Sequence, residues 1–567
     1  MPLETPFRAE NTDLATSLDA SPAIAAAPGI YARPWARLLL PSYSDCLFIA
    51  VLFWLASTGN GTWAGLLADG DTGWHIRTGE WILQHRSVPH QDLFSFTKAG
   101  QTWYAWEWLT DVLYASLHGL AGLKALVLLS ALVIAAFGTI LFRHMIARGA
   151  TPFAALVVSL LVFGASSIHY LARPHIFTLL GLTIALWMID SDRRHPSPRI
   201  WLLIPITLIW VNLHGGFLAL IACLGLLAAG SLLESAAAVL LDGSPWNHAP
   251  VRRYGLLAAA CAAVSLVNPY GWHLHQHVAA YLRSDWIRNN IQEFLSPVFR
   301  SESSHQFEAM LFAGLMTALW LVARRCFVPA LWILFWAHQA LASIRHVPVF
   351  MIVAAPFVAA ALTELWRIWV EPASGKSFRG IFAGLARDMA PGCARTSVWI
   401  AVVAFALALL PESILRWPRD FPEAKFPVRL AALHEDRLIA GRTLTEDQWA
   451  DYLIYRGYPR QKVFVDGRSD FFGSEFGDPY LRMMQGRWDW EKLLDKYGID
   501  TVLSPAGWPL ASLLKQSPAW RVVDDGGDAV LFEKVRSYQV RFIQQDSSSR
   551  KKAQSLSNEN PRSGRRY

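Results

Sequence analysis

Residues 68–111 read ADGDTGWHIRTGEWILQHRSVPHQDLFSFTKAGQTWYAWEWLTD. They lie between apolar blocks at 44–58 and 120–142, stretches of the kind that a bilayer demands of a helix. Asp69 and Asp71 stand two apart just past the first block. Asp71 or Thr72 is placed to N-cap a helix over about residues 73–85. That helix mixes Trp74, Trp81 and Ile82 with Arg77, Glu80 and His85, a composition suited to lying in the plane of a membrane surface. His75, four residues after Asp71, shares its face. Two carboxylates and an imidazole are therefore expected at a membrane surface, at the start of a long loop.

Outward from this loop, further apolar blocks run over 153–169, 174–189, 200–213, 217–241, 256–267, 307–323, 328–342, 347–366 and 398–410. The reading is a polytopic α-helical membrane protein with about 11 (11–13) transmembrane helices. Composition agrees. Of 567 residues, 53% are hydrophobic and 17% charged, against about 25% charged in an ordinary soluble domain. Mean hydropathy is +0.27. These values exclude a largely disordered chain and argue against one large soluble enzyme. The 26 Trp suit membrane–water interfaces. The five Cys never fall in CxxC spacing, so neither a disulfide framework nor a zinc knuckle is expected.

Basic residues cluster at Arg143/Arg148, Arg193/Arg194/Arg199, Arg252/Arg253, Arg324/Arg325 and over 367–395. All are cytoplasmic together if 106–142 crosses once. The amphipathic stretch 106–117 is then an interfacial lead-in; as a separate crossing it would invert the parity. The expected organisation is a cytoplasmic segment 1–43, a transmembrane module 44–415 with outer loop 59–105, and an extracytoplasmic α/β domain 416–540. A disordered basic tail follows at 541–567. The first apolar block is expected to stay as a signal anchor. In the C-terminal domain, 462–465, 501–503, 521–523 and 529–532 read as strands, and 446–455, 479–497 and 510–516 as helices. DDGGD at 524–528 reads as a hairpin turn. The tail carries seven Lys/Arg against two Asp/Glu; solvation is its expected state, and no nucleic-acid motif accompanies it.

A loop carboxylate can activate an acceptor hydroxyl as general base or help to hold a hard divalent cation. Asp69 and Asp71 are candidates for both; the bland alternative is a polar turn with a helix cap. Glu107 and Asp111, four apart, share a helical face. Further polar spots sit at expected outer ends of spans: Arg173 and His175, Asn212 and His214, Asn268, and Arg345 and His346. Ionisable groups at such depth are costly and usually face a cavity or a partner. Arg345 or Arg173 is suited to clamp a lipid phosphate; the alternative for each is snorkelling to headgroups. A lone His is more often structural, and the Asn residues helix-end caps. His273, His275 and His277 do not share one helical face as a set, so a metal is not expected there. The loop after 270 offers Glu293 or Trp286 for acceptor recognition. Asp466 and Arg468 read as a turn with an internal ion pair. P-loop, GxSxG and HExxH motifs are absent, which removes support for ATPase, hydrolase and zincin readings.

DxDxxWHIRTGEWI followed by WxEWL, placed after the first span, resembles the C-type integral-membrane glycosyltransferases (GT-C). Within them it looks like bacterial members described as RgtA/B/C/D-like, related in fold to aminoarabinose and protein mannosyl transferases. The resemblance covers the first loop well and the remaining helices loosely. It implies a GT-C-like fold in the bacterial inner membrane, a polyprenyl-phosphate-linked sugar donor, transfer on the outer face and a loop aspartate as base. Asp69, Asp71 and Glu107 are the catalytic candidates. His75, Asp111, Arg173, His175, His214, Arg345 and His346 are the substrate-binding candidates. Some such enzymes need no cofactor; where one is used, the resemblance implies a divalent cation, Mg or Mn, at Asp69 and Asp71. The partners implied are the donor, an envelope glycan, lipid or protein acceptor, and membrane lipids. The alternatives are a polysaccharide polymerase or ligase, a lipid-linked-sugar transporter or flippase, and a non-catalytic envelope-assembly protein.

Overall fold

The structure is a computed structural model and describes residues 34–61, 63–370 and 372–535. Most of the expected cytoplasmic segment and the basic tail 541–567 lie outside the described residues. The chain forms two compact units. One runs to His90 and resumes over Thr102–Pro422; the other joins Gln91–Gln101 to the described residues from Glu423 onward.

In the first unit every apolar block is helical. Helix α1 (Tyr43–Gly61) precedes α2 (Asp71–His85), the expected loop helix. Then follow α3 (Trp108–Ala147), α4 (Pro152–Ser166), α5 (His175–Arg194), α6 (Leu203–Leu213), α7 (Phe217–Asp242) and α8 (His248–Val264). The amphipathic α9 (Trp272–Arg283) comes next. After it run α10 (Glu302–Ala323), α11 (Phe327–Ala342), α12 (Val347–Val370), α13 (Phe378–Cys393) and α14 (Trp399–Leu409). Among the described residues five helices are long and apolar enough to cross a membrane: Trp108–Ala147, Pro152–His169, Phe217–Asp242, Ser304–Ala323 and Ile344–Val370. Shorter apolar helices accompany them. The chain is a multi-pass membrane protein. Its core sits on α12, buried without a break from Val347 to Ala359 and packed on α4, α10 and α11.

Helix α3 is broken at Ala121 and Gly122, where φ is −150° and 63°. Positive φ costs glycine little, so the break falls there. The piece before it, residues 108–120, is roughly 20 Å long at 1.5 Å per residue. A bilayer core is about 30 Å thick, so this piece leads into a crossing rather than making one. It packs along α2.

Four of the basic clusters meet carboxylates at one end of this unit. Asp190 takes His144, Arg148 and Arg194; Asp192 takes Arg253 at 2.7 Å. Glu234 takes Arg193 at 2.8 Å and the Val328 N–H at 3.0 Å; Asp242 takes Arg325 at 2.6 Å. The helix ends that they tie together are those the sequence expects on one face.

The second unit is an α/β domain. Strands β1 (Thr443–Thr445), β2 (Thr501–Pro505), β3 (Trp520–Asp525) and β4 (Ala529–Lys534) form a sheet in the order β1-β2-β4-β3. β1 is parallel to β2; β2 and β3 are antiparallel to β4. The expected hairpin joins β3 to β4. Residues 462–465 supply no strand but two isolated bridges, both at Val463, one of them beside Thr443. The helix expected over 479–497 is two, α16 (Ser469–Met484) and α17 (Trp490–Lys496), after α15 (Asp447–Gly457) and before α18 (Pro509–Gln516). Gly486, at φ 62°, ends the first of the pair as a left-handed glycine does.

The segment Gln91–Gln101 of the loop between α2 and α3 is built into this domain. Ser95 bridges Val463 in parallel, extending the sheet past β1. Thr97 Oγ1 donates to Phe464 O at 2.6 Å and Lys98 Nζ to Phe471 O at 2.7 Å. Arg468, fully buried, donates from Nη2 to Asp92 at 2.7 Å and to Asp466 at 2.6 Å. The Asp466–Arg468 turn read from the sequence thus has a third member 376 residues upstream. Removing one partner of a buried charge group costs about 3–5 kcal/mol, because the others stay buried. Arg468→Ala should therefore loosen residues 91–101, and limited proteolysis of the full-length protein should show a new cut there. An unchanged protease map would mean that the ion triad does not hold the segment.

Candidate functional site

The first turn of α2 differs from the sequence expectation. The helix starts at Asp71 with Gly70 as N-cap, and Asp71 makes no cap. Asp69 Oδ1 instead accepts the Asp71 N–H at 3.0 Å, and Thr72 Oγ1 donates to Ala172 O at 2.8 Å. A carboxylate placed before a helix N-terminus is favoured by the exposed N–H groups. The two aspartates therefore open the helix side by side.

Arg173 joins them. Its Nη1 lies 3.0 Å from Asp69 Oδ2 and its Nη2 2.5 Å from Asp71 Oδ2. The same Nη1 lies 2.8 Å from Glu293 Oε1. One guanidinium thus holds three carboxylates from three parts of the chain, as its planar fork of donors permits.

A second cluster adjoins the first. His75 Nδ1 is 2.5 Å from Asp111 Oδ1, so a single proton lies between the two, and both groups are buried. His75 Nε2 is 3.5 Å from Glu107 Oε2, and His214 Nε2 is 3.5 Å from Glu107 Oε1. The Gly216 N–H donates to His214 Nδ1 at 3.0 Å, and the Thr178 hydroxyl lies 2.7 Å from the same nitrogen. His214 Nδ1 is therefore the acceptor, and Nε2–H faces Glu107. Gly79 makes the cluster possible. A Cβ there would lie 1.9 Å from the Asp111 carbonyl oxygen, so only glycine lets α2 approach α3 closely enough for His75 to reach Asp111.

Arg345 stands beside the first cluster. Its guanidinium carbon is 4.4 Å from the Phe294 ring centre, and its Nη1 is 3.5 Å from the Tyr281 hydroxyl. Among the described residues it forms no ion pair. Ser343 Oγ donates to Glu293 O at 2.9 Å, which ties the Arg345 turn to the Glu293 loop. Two expected members lie apart. His175 Nε2 bonds the His169 carbonyl at 2.6 Å, with its ring 6.5 Å from His214. His346 lies against Trp336 at 6.0 Å. Asn212 accepts from Trp108 Nε1 at 2.8 Å and donates to Val267 O, and Asn268 closes its own turn. Both are structural, as read. His277 stacks on Tyr104 at 4.6 Å and His273 bonds Gln276, so the three His form no set. Sequence reasoning missed Tyr281 and His169; the latter's nearness to Arg173 had one signal, its place in IHYLARPH.

The electrostatics follow from burial and this geometry. Burial drives the Asp69 carboxyl up; Arg173 opposes this, Asp71 and Glu293 add to it, and the group sits at about 7. Burial also works upward on Glu293, but Arg173 and Arg345 outweigh it and bring it to about 2. His75 is held well below its ordinary value by burial first, then by the charge of Arg173 and by His214. One carboxyl of the cluster thus titrates near neutrality while its neighbour stays ionised.

A Mg or Mn ion at Asp69 and Asp71 would have to displace Arg173, which already binds both. Among the described residues no group of three or more His, Cys, Asp or Glu is set to hold a metal ion. The donor set does not fit a divalent cation.

No family model matches the chain, and no curated protein does. Among solved structures 16 chains match. One is the crystal structure of the Archaeoglobus fulgidus oligosaccharyltransferase, tethered through a disulfide bond to an acceptor peptide containing the NVT sequon. It is 12% identical at a TM-score of 0.49, over 87% of this chain and 74% of that one. The similarity assigns no role to any residue here.

Two outcomes follow from the geometry. Gly79→Ala should destabilise the solubilised protein by about 1–3 kcal/mol, the usual cost of overpacking; unchanged thermal unfolding would contradict the close approach. Asp69 is raised from 3.8 to about 7, so the folded state holds a proton that the unfolded chain loses between those values. Ionising Asp69 therefore costs stability as pH rises through this window. Asp69→Asn, which mimics the neutral acid, should gain melting temperature over the native protein at pH 8 and gain little at pH 4. An equal difference at both would remove the shift.

Proposed function

We propose that the chain is a GT-C-like glycosyltransferase that moves a sugar from a polyprenyl-phosphate donor to an envelope glycan, lipid or protein acceptor. The observation that carries this reading is the Arg173 cluster. Asp69, Asp71 and Glu293 converge on one guanidinium at the end of the bundle opposite the basic clusters, with Arg345 beside them. Asp69 is the base: it takes the proton of the acceptor hydroxyl, and a carboxyl that titrates near 7 is matched to that task at neutral pH. The acceptor oxygen then bonds the anomeric carbon. The bond from that carbon to the phosphate oxygen breaks, and its electron pair leaves with the lipid phosphate. Arg345, free of ion pairs among the described residues, offsets the phosphate charge. Arg173 supplies the positive charge between the aspartates, and no step needs a divalent cation. Glu107, His75, Asp111 and His214 hold the wall beside α2.

The proposed setting is the inner membrane of a bacterium, with the acid cluster and the C-terminal domain outside. The amphipathic lead-in piece of α3, residues 108–120, supports this parity, because it keeps the basic clusters together on the cytoplasmic face. The gathering of polar groups at one end favours transfer over transport, which calls for polar sites and broken helices at mid-bilayer.

The test is mass spectrometry of envelope glycans and lipids with and without the gene, complemented by variants. Loss of one glycosylated species is expected, restored by the native chain but not by the double variant Asp69→Asn, Asp71→Asn at equal expression. Arg345→Gln should slow transfer by about 10²–10³-fold, as removal of one preorganised charge stabiliser does. Full activity in the double variant refutes the assignment. Uptake of a lipid-linked sugar by proteoliposomes holding the chain alone would favour a flippase instead.

A further inference from the structure

The end of the first unit opposite the acid cluster carries a crevice of about 670 Å³. Arg193, Trp201, Glu234, Arg252, Arg253 and Tyr254 are among its lining. Two of the arginines hold its walls. Arg193 spends Nη2 on Glu234 at 2.8 and 3.0 Å. Arg253 spends Nε and Nη2 on Asp192 at 2.8 and 2.7 Å, and Nη2 also on the Ser197 carbonyl at 2.6 Å. Each keeps further N–H donors, since a guanidinium has five. The third is different: Arg252, exposed near the start of α8, makes no ion pair among the described residues. The crevice thus has a net positive lining in which one cation lacks a counter-charge.

We propose that this crevice binds the phosphate headgroup of an anionic phospholipid. Phosphate oxygens match the guanidinium donors that the walls leave over, and they bring the charge that Arg252 lacks. The rim argues for a lipid rather than a soluble phosphate compound. Trp201 and Leu256 belong to the lining and are exposed, and the exposed Leu202 and Trp246 adjoin the lining residues Trp201 and Asn247 in the chain, an apolar and aromatic border of the kind found where acyl chains meet headgroups. Basic pockets between spans on the cytoplasmic side are suited to anionic headgroups. The site is independent of the transfer reaction and of its donor.

The purified full-length chain is examined by native mass spectrometry with dioleoyl phosphatidylglycerol, and with dioleoyl phosphatidylcholine as the neutral counterpart. The native protein should retain one phosphatidylglycerol about fivefold more strongly than phosphatidylcholine, the factor that one basic residue commands at an anionic surface. Arg252→Gln should lose that preference and Arg252→Lys should keep it. Arg199→Gln, a basic residue of the same end outside the crevice lining, should leave it unchanged. Equal retention of the two lipids overturns the proposal, as does an equal loss in Arg199→Gln and Arg252→Gln. Displacement of the retained lipid by inorganic phosphate at the same concentration overturns the lipid assignment in favour of a soluble phosphate.

Discussion

A half-buried guanidinium that serves three carboxylates at once organises one end of the helical unit. Arg173 sits in the short connection before α5, Asp69 and Asp71 at the start of α2, and Glu293 in the loop before α10. None of these segments is anchored to another by regular secondary structure. The ion cluster, together with the Thr72–Ala172 hydrogen bond and the packing of α2 on α3, defines where the loop aspartates stand relative to the bundle. In a site withdrawn from water such a group is costly unless each charge is met, so the arrangement specifies one geometry rather than a range of them. The same interaction explains why the aspartates do not present a vacant pair to a metal ion: the positive charge is already part of the chain.

The loop that carries the aspartates is constrained twice. Its first part, α2, is pressed on the lead-in piece of α3 through Gly79. Its middle, Gln91–Gln101, is a component of the C-terminal domain, with Asp92 buried against Arg468. An α/β domain that looks in sequence like an appendage therefore includes eleven residues from the loop between α2 and α3. Truncating it would strand a segment lying between α2 and α3 in the sequence, with Lys98 and Asp92 deprived of their partners.

Local chemistry was legible wherever a single element decides it. The apolar blocks are helices because their length and composition leave no other way to satisfy the backbone in a bilayer. Helix α2 announced itself by Asp71 or Thr72 as a helix start and by Trp74, Trp81 and Ile82 mixed with Arg77, Glu80 and His85, and the β3–β4 hairpin by DDGGD. Legibility ended where a contact joins distant segments. Glu293 was visible as an acid in an amphipathic loop, but its bond to Arg173 spans 120 residues and follows from how α5, α10 and α12 pack. The N-cap position fell to Gly70 rather than Asp71 because the helix begins two residues earlier than its apolar pattern, and Asp69 accepts the Asp71 N–H instead. Strand β1 escaped notice because three residues carry no period, and the 479–497 helix was over-extended across Gly486.

Charge arithmetic at the site gives the last step. Five buried or half-buried carboxylates, Asp69, Asp71, Glu107, Asp111 and Glu293, face two guanidinium groups, Arg173 and Arg345. Burial penalises each unpaired negative charge, so the cluster must hold protons that isolated carboxyls would release at neutral pH. Glu293, nearest the two arginines, gives up its proton, and Asp69 is left poised near 7. The His75–Asp111 pair shares another proton across 2.5 Å. A cluster with more acid than base is thus able to accept a proton at one carboxyl without building charge elsewhere, because the neighbours already differ in what they hold. That asymmetry comes from where Arg173 reaches, and it separates a proton-accepting carboxyl from purely charge-holding ones within a set of chemically similar side chains.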